Sequence, residues 1–223
     1  MEGPAERTFG HVVVDEAQEL TAMQWHMVLR RCPSRSMTLV GDFAQAGPTT
    51  TAHDWAEALR PHIGTRYALH TLTVSYRSTH EILSAVRALR TRIAPGHAPS
   101  RALRHGPVPR EFTAGADELA DALAAELRSQ ASAHPGDLLA VVCADTTAAR
   151  LTAAGIDQRA RVVPVSQARG LEFDAVVVID PPEIVAARPA GERDLYVALT
   201  RATKRLCTLH VPPRPAGAHH ASH

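Results

Sequence analysis

The segment His11-Val12-Val13-Val14-Asp15-Glu16-Ala17-Gln18 is an apolar run that ends in two carboxylates. Three β-branched residues in succession predict a strand buried on both faces of a parallel sheet. Ligands bind such sheets where the strands end, so Asp15 is a candidate Mg²⁺ ligand and Glu16 a candidate base for a water molecule. The segment alone equally allows a strand followed by the N-cap acid of a helix over 20–31.

The composition is that of a globular protein. The 223 residues are 45% hydrophobic and 21% charged, which suffices for one large or two small domains. No apolar run approaches the roughly 18 residues of a membrane span, and residues 1–7 are too polar for a secretory signal, so we expect a cytoplasmic protein. Three scattered cysteines argue against a disulfide framework or zinc site, and the net charge of +1 gives no global basic field.

Strand-like and helix-like segments alternate along the chain, which predicts a parallel α/β architecture. Beyond the opening strand, the predicted strands cover 37–40, 67–74, 138–143, 162–165, 175–179 and 206–211. The predicted helices cover 21–31, 54–59, 81–92, 117–130 and 195–203, with Pro61 ending the second of them. Region 97–109 contains three prolines and is predicted to be a loop, and 212–223 a disordered tail.

Five polar signatures accompany these elements, and in this order they resemble motifs II to VI of UvrD/Rep-like superfamily 1 helicases. They are Asp15-Glu16-Ala17-Gln18, Gly41-Asp42-x-x-Gln45, Tyr76-Arg77-Ser78, Gly170-Leu171-Glu172-Phe173-Asp174 and the segment 196–202. The amino-acid sequences of segments 31–36 and 174–178 most resemble those of the HelD type. HelD-type proteins are motor ATPases that release and recycle bacterial RNA polymerase. The resemblance covers nearly the whole chain except its tail.

The resemblance implies a RecA-like P-loop NTPase fold, an α/β fold whose parallel sheet is flanked by helices. Residues 1–74 would be the C-terminal remnant of a first motor domain with motifs II and III. Residues 75–211 would be the second motor domain, the UvrD-like C-terminal domain. The implied cofactors are ATP and Mg²⁺, and the implied partners are DNA, RNA polymerase or both.

The resemblance also assigns roles to the residues of motifs II and III. Asp15 matches the acid that holds Mg²⁺ through water, and Glu16 the acid that polarises the attacking water. Gln18 and Gln45 match glutamines that sense the γ-phosphate, a task that suits an amide because it donates and accepts at once. Without its neighbours, Gln45 would be interpreted as an ordinary loop residue.

Motifs IV to VI supply the remaining candidates. Arg77 and Arg201 match the two arginines that reach the γ-phosphate, where a planar guanidinium provides a fork that lysine would not reproduce. Tyr76 matches the aromatic residue that stacks on adenine. Glu172, which follows Gly170 in motif V, matches the carboxylate that accepts hydrogen bonds from the ribose hydroxyls.

One lysine, Lys204, is present in the whole sequence, so the phosphate-binding pattern G-x-x-x-x-G-K-[ST] does not occur in it. We therefore expect this chain to represent the C-terminal part of a motor, inactive by itself, with an unpaired apolar sheet edge. Two alternatives are one half of a split motor completed by a separate P-loop chain, and a non-catalytic module that binds nucleic acid or RNA polymerase. Joint retention of Asp15, Glu16, Arg77 and Arg201 argues against the binding module.

Overall fold

A computed structural model describes residues 7–50, 52–96, 100–189 and 191–212. They belong to two compact units, unit 1 up to Thr71 and unit 2 from Leu72. The assignment of a first and a second motor domain divided at residue 74 remains a prediction. The predicted disordered tail lies outside the described residues, apart from Pro212.

Unit 1 contains two short parallel strands and two helices. These are β1 (Val12–Val14), α1 (Ala22–Arg31), β2 (Met37–Leu39) and α2 (Trp55–Ile63), with 3-10 turns at Ala17–Glu19 and Phe43–Gln45. Strands β1 and β2 pair in parallel, with Val12 opposite Met37 and Val14 opposite Leu39. Helix α1 begins with a capping box between Thr21 and Gln24, which satisfies backbone groups that a helix end leaves open.

The prediction that β1 is buried on both faces is wrong. Val12 and Val14 are half-buried, but Val13 is 66% exposed. Within the described residues β1 pairs only with β2, and the exposure of Val13 shows that its face of the strand is largely open to solvent. Burial of a β-branched run depends on its neighbours, which the run itself does not specify.

The core of unit 1 is small and aromatic. Trp25, Leu29, Phe43 and Leu59 are buried, and Phe43 meets Trp55 edge to face with ring centroids 5.1 Å apart. The predicted end of α2 before Pro61 is wrong, because the helix continues to Ile63. Pro61 stands in the last turn, where its missing N–H and its ring affect few remaining helical bonds.

Unit 2 contains seven strands and five helices within its described residues. In chain order they are β3 (Val74–Thr79), α3 (His80–Ile93), β4 (Arg101–Arg104), β5 (Arg110–Thr113), α4 (Leu119–Ala133), β6 (Leu139–Cys143), α5 (Asp145–Ala153), β7 (Arg161–Pro164), β8 (Phe173–Ile179), α6 (Pro181–Ala186), α7 (Gly191–Thr200) and β9 (Ala202–His210). Strands β3 and β4 form one parallel pair, and the others form a five-stranded parallel sheet in the order β5-β9-β8-β6-β7.

Strand β8 organises the core of unit 2, because its alternate residues enter two different hydrophobic clusters. Val176 and Val178 pack with Ile82 of α3 and Val197 of α7. Val177 and Ile179 pack in a second cluster, which also contains Leu123 of α4. The predicted α/β fold with a parallel sheet flanked by helices is therefore confirmed.

Two predictions about the start of unit 2 are wrong. Residues 66–73 form no strand, and β3 begins at Val74, where the predicted strand was to end. Region 97–109, predicted to be a loop, contains β4. Both differences have one cause: β3 and β4 pair in parallel, and neither strand carries a regular apolar pattern of its own. Within the described residues no helix is both long and apolar enough to cross a bilayer.

Candidate functional site

The two predicted catalytic acids directly follow β1 and are both exposed. Because both carboxylates are exposed to solvent, neither carries the cost of burying a charge. Glu16 has left-handed backbone angles (φ 50°, ψ 38°), which turn the chain sharply from β1 into the 3-10 turn. Asp15 supports this turn by accepting a hydrogen bond from the Glu16 N–H at its Oδ1 atom, at 2.9 Å. The alternative role of a side-chain N-cap does not apply to Glu16, since α1 is capped by Thr21.

Gln18 connects the motif after β1 with the loop after β2. Its side chain is 2% exposed, its Nε2 donates to Oε2 of Glu16 at 2.6 Å, and its Oε1 accepts from the Asp42 N–H at 3.1 Å. A carboxylate could not replace this amide, because one end donates while the other accepts. The buried Gln18 amide therefore fixes the orientation of the exposed Glu16 carboxylate.

Asp42 extends this connection to Gln45. Its Oδ1 accepts from the Ala44 N–H at 3.0 Å, and its Oδ2 accepts from Nε2 of Gln45 at 3.2 Å. Gly41 makes room for the network, because a Cβ at this position would lie 2.1 Å from Oε1 of Gln18. The sequence motif contained Gly41 and Asp42, but only the fold shows what they do.

Unit 1 offers one candidate ligand for a magnesium ion, the carboxylate of Asp15. Mg²⁺ in phosphoryl-transfer sites binds through one or two carboxylates and takes its remaining ligands from phosphate and water. Asp15 is exposed, and no described residue forms a hydrogen bond with its Oδ2 atom. Within the described residues no group of three or more His, Cys, Asp or Glu could hold a metal ion, so Asp15 would act with non-protein ligands.

In unit 2 the structure brings together two residues predicted for the nucleotide. Nε of Arg77, on β3, lies 2.5 Å from Oε1 of Glu172, which directly precedes β8. Both side chains are partly exposed, at 51% and 38%. Gly170 has φ +73° just before this point, a conformation that favours glycine and that directs the loop into β8. Tyr76 is 72% exposed, so its ring is accessible for stacking.

Arg201 is in a different environment from Arg77. It is 5% exposed, and its guanidinium donates to the carbonyl oxygens of Val197 and Leu171, both at 3.1 Å. A cation in this position stabilises the C-terminal end of α7. The Arg201 guanidinium thus binds backbone carbonyl oxygens. Through these hydrogen bonds Arg201 connects α7 with the loop before Glu172.

Two polar groups of unit 2 were missed by the sequence analysis. Asp194 is fully buried and binds two arginines, with Oδ1 2.8 Å from Nη2 of Arg169 and Oδ2 bonded to Nε of Arg188. The hydrogen bond to Asp194 raises the pKa of Arg188. Arg104 donates to the carbonyl oxygens of Arg77 and, at 3.2 Å, Thr203. Its role could not be found without the unpredicted strand β4.

A family model matches nearly the whole chain. Residues 1–210 match the family described as viral superfamily 1 RNA helicase core domain. A crystal structure of the C-terminal domain of a possible DNA helicase from Lactobacillus plantarum WCFS1 is 24% identical, with 61% of this chain and 88% of that chain covered and a TM-score of 0.46. No curated protein matches. The chain belongs to the superfamily 1 helicase core family, and its five-stranded parallel sheet flanked by helices is a RecA-like domain.

Proposed function

We propose that this chain is the C-terminal part of an ATP-dependent superfamily 1 motor of the HelD type, which remodels or recycles RNA polymerase. Motors of this helicase family use ATP and Mg²⁺. The observation that carries the proposal is the buried amide of Gln18, which bonds Glu16 on one side and the Asp42 loop on the other. Such a link suits an enzyme that must couple hydrolysis to movement of a neighbouring loop.

In the proposed reaction Glu16 accepts a hydrogen bond from the attacking water and orients it, while Gln18 holds the Glu16 carboxylate in place. Asp15 would hold Mg²⁺, which when bound neutralises charge on the phosphates. Arg77 offers its guanidinium to phosphate oxygens once it leaves Glu172, and Glu172 then accepts from the ribose hydroxyls. Catalysis of this kind rests on positioning and charge stabilisation.

By itself the chain is expected not to hydrolyse ATP above background. Backbone N–H groups of a P-loop and its lysine must cradle the β- and γ-phosphates, and no such pattern occurs in the 223 residues. The single lysine, Lys204, is bonded to Asp137 and Asp174 instead, at 2.8 and 3.0 Å. The test is phosphate release by the purified chain with Mg-ATP. Turnover that disappears in Glu16→Gln would contradict the expectation.

The motor assignment is tested by supplying a P-loop on a second polypeptide, taken from a superfamily 1 helicase, that ends before motif II. We expect ATP turnover in the mixture, and its loss in Glu16→Gln and in Arg77→Ala. A mixture that forms a complex but shows no turnover overturns the catalytic proposal.

The HelD assignment has a separate test. Bacterial RNA polymerase core enzyme is mixed with the reconstituted pair, and co-migration in size exclusion is measured. Binding supports the HelD type, whereas ATP turnover without polymerase binding leaves a superfamily 1 motor with another partner.

One half of a split motor is the second candidate, and it has its own support in unit 1. Strands β1 and β2 pair only with each other among the described residues, and Val13 and Val40 are exposed at 66% and 46%. Open strand edges beside exposed valines favour association with another strand. We expect the isolated chain to self-associate in sedimentation experiments, and a heat-resistant monomer would count against an open edge.

A further inference from the structure

Strand β3 contains a bulge at the two residues that are predicted to meet the nucleotide. The ladder between β3 and β4 shifts register between Ser75 and Thr79, where three residues of β3 lie across from one residue of β4. The three are residues 76–78, which form the segment that resembles a helicase motif. Bulges redirect the side chains that they contain and are frequent next to active sites. The direction of the Arg77 side chain therefore depends on what holds the bulge.

Side chains hold the bulge, because its backbone groups lie outside the regular ladder and need other partners. The Ser78 N–H donates to Oγ of Ser75 at 3.4 Å. The carbonyl oxygen of Arg77 accepts a hydrogen bond from Nη2 of Arg104, the last residue of β4. The first of these bonds stays within β3, whereas the second ties the bulge to β4.

Arg104 also binds a third strand. The same Nη2 atom donates to the carbonyl oxygen of Thr203 at 3.2 Å, and Thr203 is the second residue of β9. At its start β9 pairs with Phe173, which directly follows Glu172. One guanidinium nitrogen thus connects the strand that carries Arg77 with the strand that pairs beside Glu172.

Together these contacts form a closed circuit around the ion pair of unit 2. Nε of Arg77 is bonded to Oε1 of Glu172 at 2.5 Å. From Glu172 the circuit continues into β8, which pairs with β9, and from β9 it returns to Arg77 through Arg104. In a closed circuit each connection limits the movement of the others. Loss of the Arg104 side chain should therefore allow the bulge to move relative to β9.

The backbone of Arg104 is held independently of its side chain. The next two residues bind Glu81 at the start of α3: Nδ1 of His105 lies 2.9 Å from Oε1, and the Gly106 N–H donates to Oε2 at 2.7 Å. Gly106 is also closely packed, because a Cβ there would lie 2.7 Å from Cγ2 of Thr79. A substitution of the Arg104 side chain should therefore leave the course of the chain unchanged.

Arg104 has no part in the hydrophobic core of unit 2. The residue is exposed, and neither of the two hydrophobic clusters includes it. Exposed hydrogen bonds contribute little to the free energy of unfolding, because water replaces them when they break. The effect of Arg104 should therefore be on the local geometry of the bulge.

We propose that Arg104 is a positioning residue for Arg77. By holding the bulge of β3 to the start of β9, it directs the Arg77 guanidinium to the site where Glu172 lies and where phosphate oxygens bind in the complete motor. The guanidinium suits this task because one of its nitrogens has two N–H groups and can donate to two carbonyls at once. The proposal rests on the proposed function of Arg77, since Arg104 itself binds backbone carbonyls.

The first test measures the positioning in the full chain without nucleotide. The Nε–H signal of Arg77 is observed by heteronuclear NMR and assigned from its absence in Arg77→Lys. Arg104→Met removes the donors and keeps an unbranched side chain. We expect the Arg77 signal to shift or broaden and the Ser78 amide to exchange about fivefold faster with solvent hydrogen. A variant that matches the parent chain in both measurements overturns the proposal.

Arg101→Met is the matched control. Arg101 is an exposed arginine of the same strand, and its side chain has no hydrogen bond or ion pair with another described residue. This variant should match the parent chain in both measurements. Equal changes in the two methionine variants would overturn the proposal, because they would indicate a general effect of charge on β4.

Two further measurements separate positioning from folding. Thermal melts should give the same unfolding midpoint for Arg104→Met and Arg101→Met, and a large decrease in Arg104→Met alone would indicate a structural role instead. Arg104→Lys retains a donor on a shorter stem, so its Ser78 exchange rate should lie between those of the parent chain and Arg104→Met. If the lysine variant is no closer to the parent chain than the methionine variant, donation to the carbonyls is not what Arg104 contributes.

The second test measures the consequence for catalysis, in the reconstituted pair with the separate P-loop polypeptide. Because Arg77 is expected to stabilise charge on the transferred phosphate, a misdirected Arg77 should lower kcat more than it raises KM. We expect Arg104→Met to lower kcat about tenfold and to change the KM for ATP less than about twofold. Arg101→Met should change neither constant.

The two tests also separate this proposal from the proposed function. A reconstituted pair without any turnover contradicts the proposed function, and the NMR comparison of Arg104→Met with Arg101→Met still decides whether Arg104 holds Arg77. A pair that hydrolyses ATP equally fast with Arg104→Met and with the parent chain supports the motor and overturns the positioning role.

Discussion

Two Val-Val-Val triplets occur in this chain, and they have opposite environments. In unit 1 the triplet Val12–Val14 forms β1, and its central Val13 is 66% exposed. In unit 2 the triplet at 176–178 lies in β8, between β6 and β9, and its central Val177 is 3% exposed. Identical side chains thus differ in burial. Among the described residues β1 has one neighbouring strand and leaves Val13 open to solvent, whereas β8 has two neighbouring strands and helices on both faces.

The difference in burial of the two triplets predicts that unit 2 is more stable than unit 1. Burying a valine side chain fully contributes about 1.5–3 kcal/mol relative to leaving it in water, so the triplet of β8 stabilises unit 2 and Val13 contributes little to unit 1. A two-stranded sheet is also marginal alone. Unit 1 should therefore open more readily than unit 2, and its local caps and hydrogen bonds should matter more.

The largest expected effect comes from placing a charge at the centre of each triplet. Val177→Asp buries an unpaired carboxylate, which should cost on the order of 5 kcal/mol and remove the cooperative unfolding transition of unit 2. Val13→Asp should change the unfolding free energy by less than about 0.5 kcal/mol. Urea unfolding followed by circular dichroism measures both. Equal damage from Val13→Asp would mean that this face is covered in solution.

A smaller effect is expected at Gly41, which belongs to the network of unit 1. In Gly41→Ala the added Cβ would collide with Oε1 of Gln18, so we expect a loss of about 1–3 kcal/mol and faster hydrogen exchange at the Asp42 amide. Gly10→Ala is the control, since nothing lies within 4 Å of a Cβ there. If both variants exchange at the same rate, Gln18 does not require the room that Gly41 leaves.

Helix caps give a third and smaller contrast. Thr21 caps α1 with its side chain, so Thr21→Ala should destabilise unit 1 by about 1 kcal/mol. Glu118, at the start of α4, makes no side-chain cap, and α4 is held by buried residues such as Leu123. Glu118→Ala should therefore be neutral within about 0.5 kcal/mol. Native-state hydrogen exchange of the first turn of each helix measures the difference.

The smallest expected effect is a loss of stability of unit 2 at low pH. Hydrogen bonds from His105 and from the Gly106 N–H lower the pKa of Glu81 to about 2. Because the folded pKa lies below the unfolded one, this contribution to stability is present above about pH 4.5 and is lost as the pH falls towards 2. Glu81→Gln should flatten the decline of stability in that interval. An unchanged slope in thermal melts between pH 5 and pH 2.5 would contradict this role.

The sequence predicted the strongly apolar elements well. The strands at 138–143 and 175–179 and the helix at 117–130 appear as β6, β8 and α4, because each has enough buried side chains to show its period. It missed β4, whose residues Arg101–Arg104 are mostly exposed and become a strand by pairing with β3. Likewise the sequence does not predict the ion pairs of Asp194, since its two arginine partners come from separate segments of the chain.

The sequence by itself determined the family of motifs and the parallel α/β class, because both depend on residue types at short spacing. Only the tertiary structure decided that Asp15 and Glu16 are exposed and that Gln18 joins Glu16 to the Asp42 loop. It also decided that Arg77 pairs with Glu172, whereas Arg201 faces backbone carbonyls. Gln18 and Asp42 lie 24 positions apart in the chain, and Arg201 and Leu171 lie 30 positions apart. Burial and hydrogen bonding at such distances depend on which neighbours the fold supplies, and no local pattern encodes them.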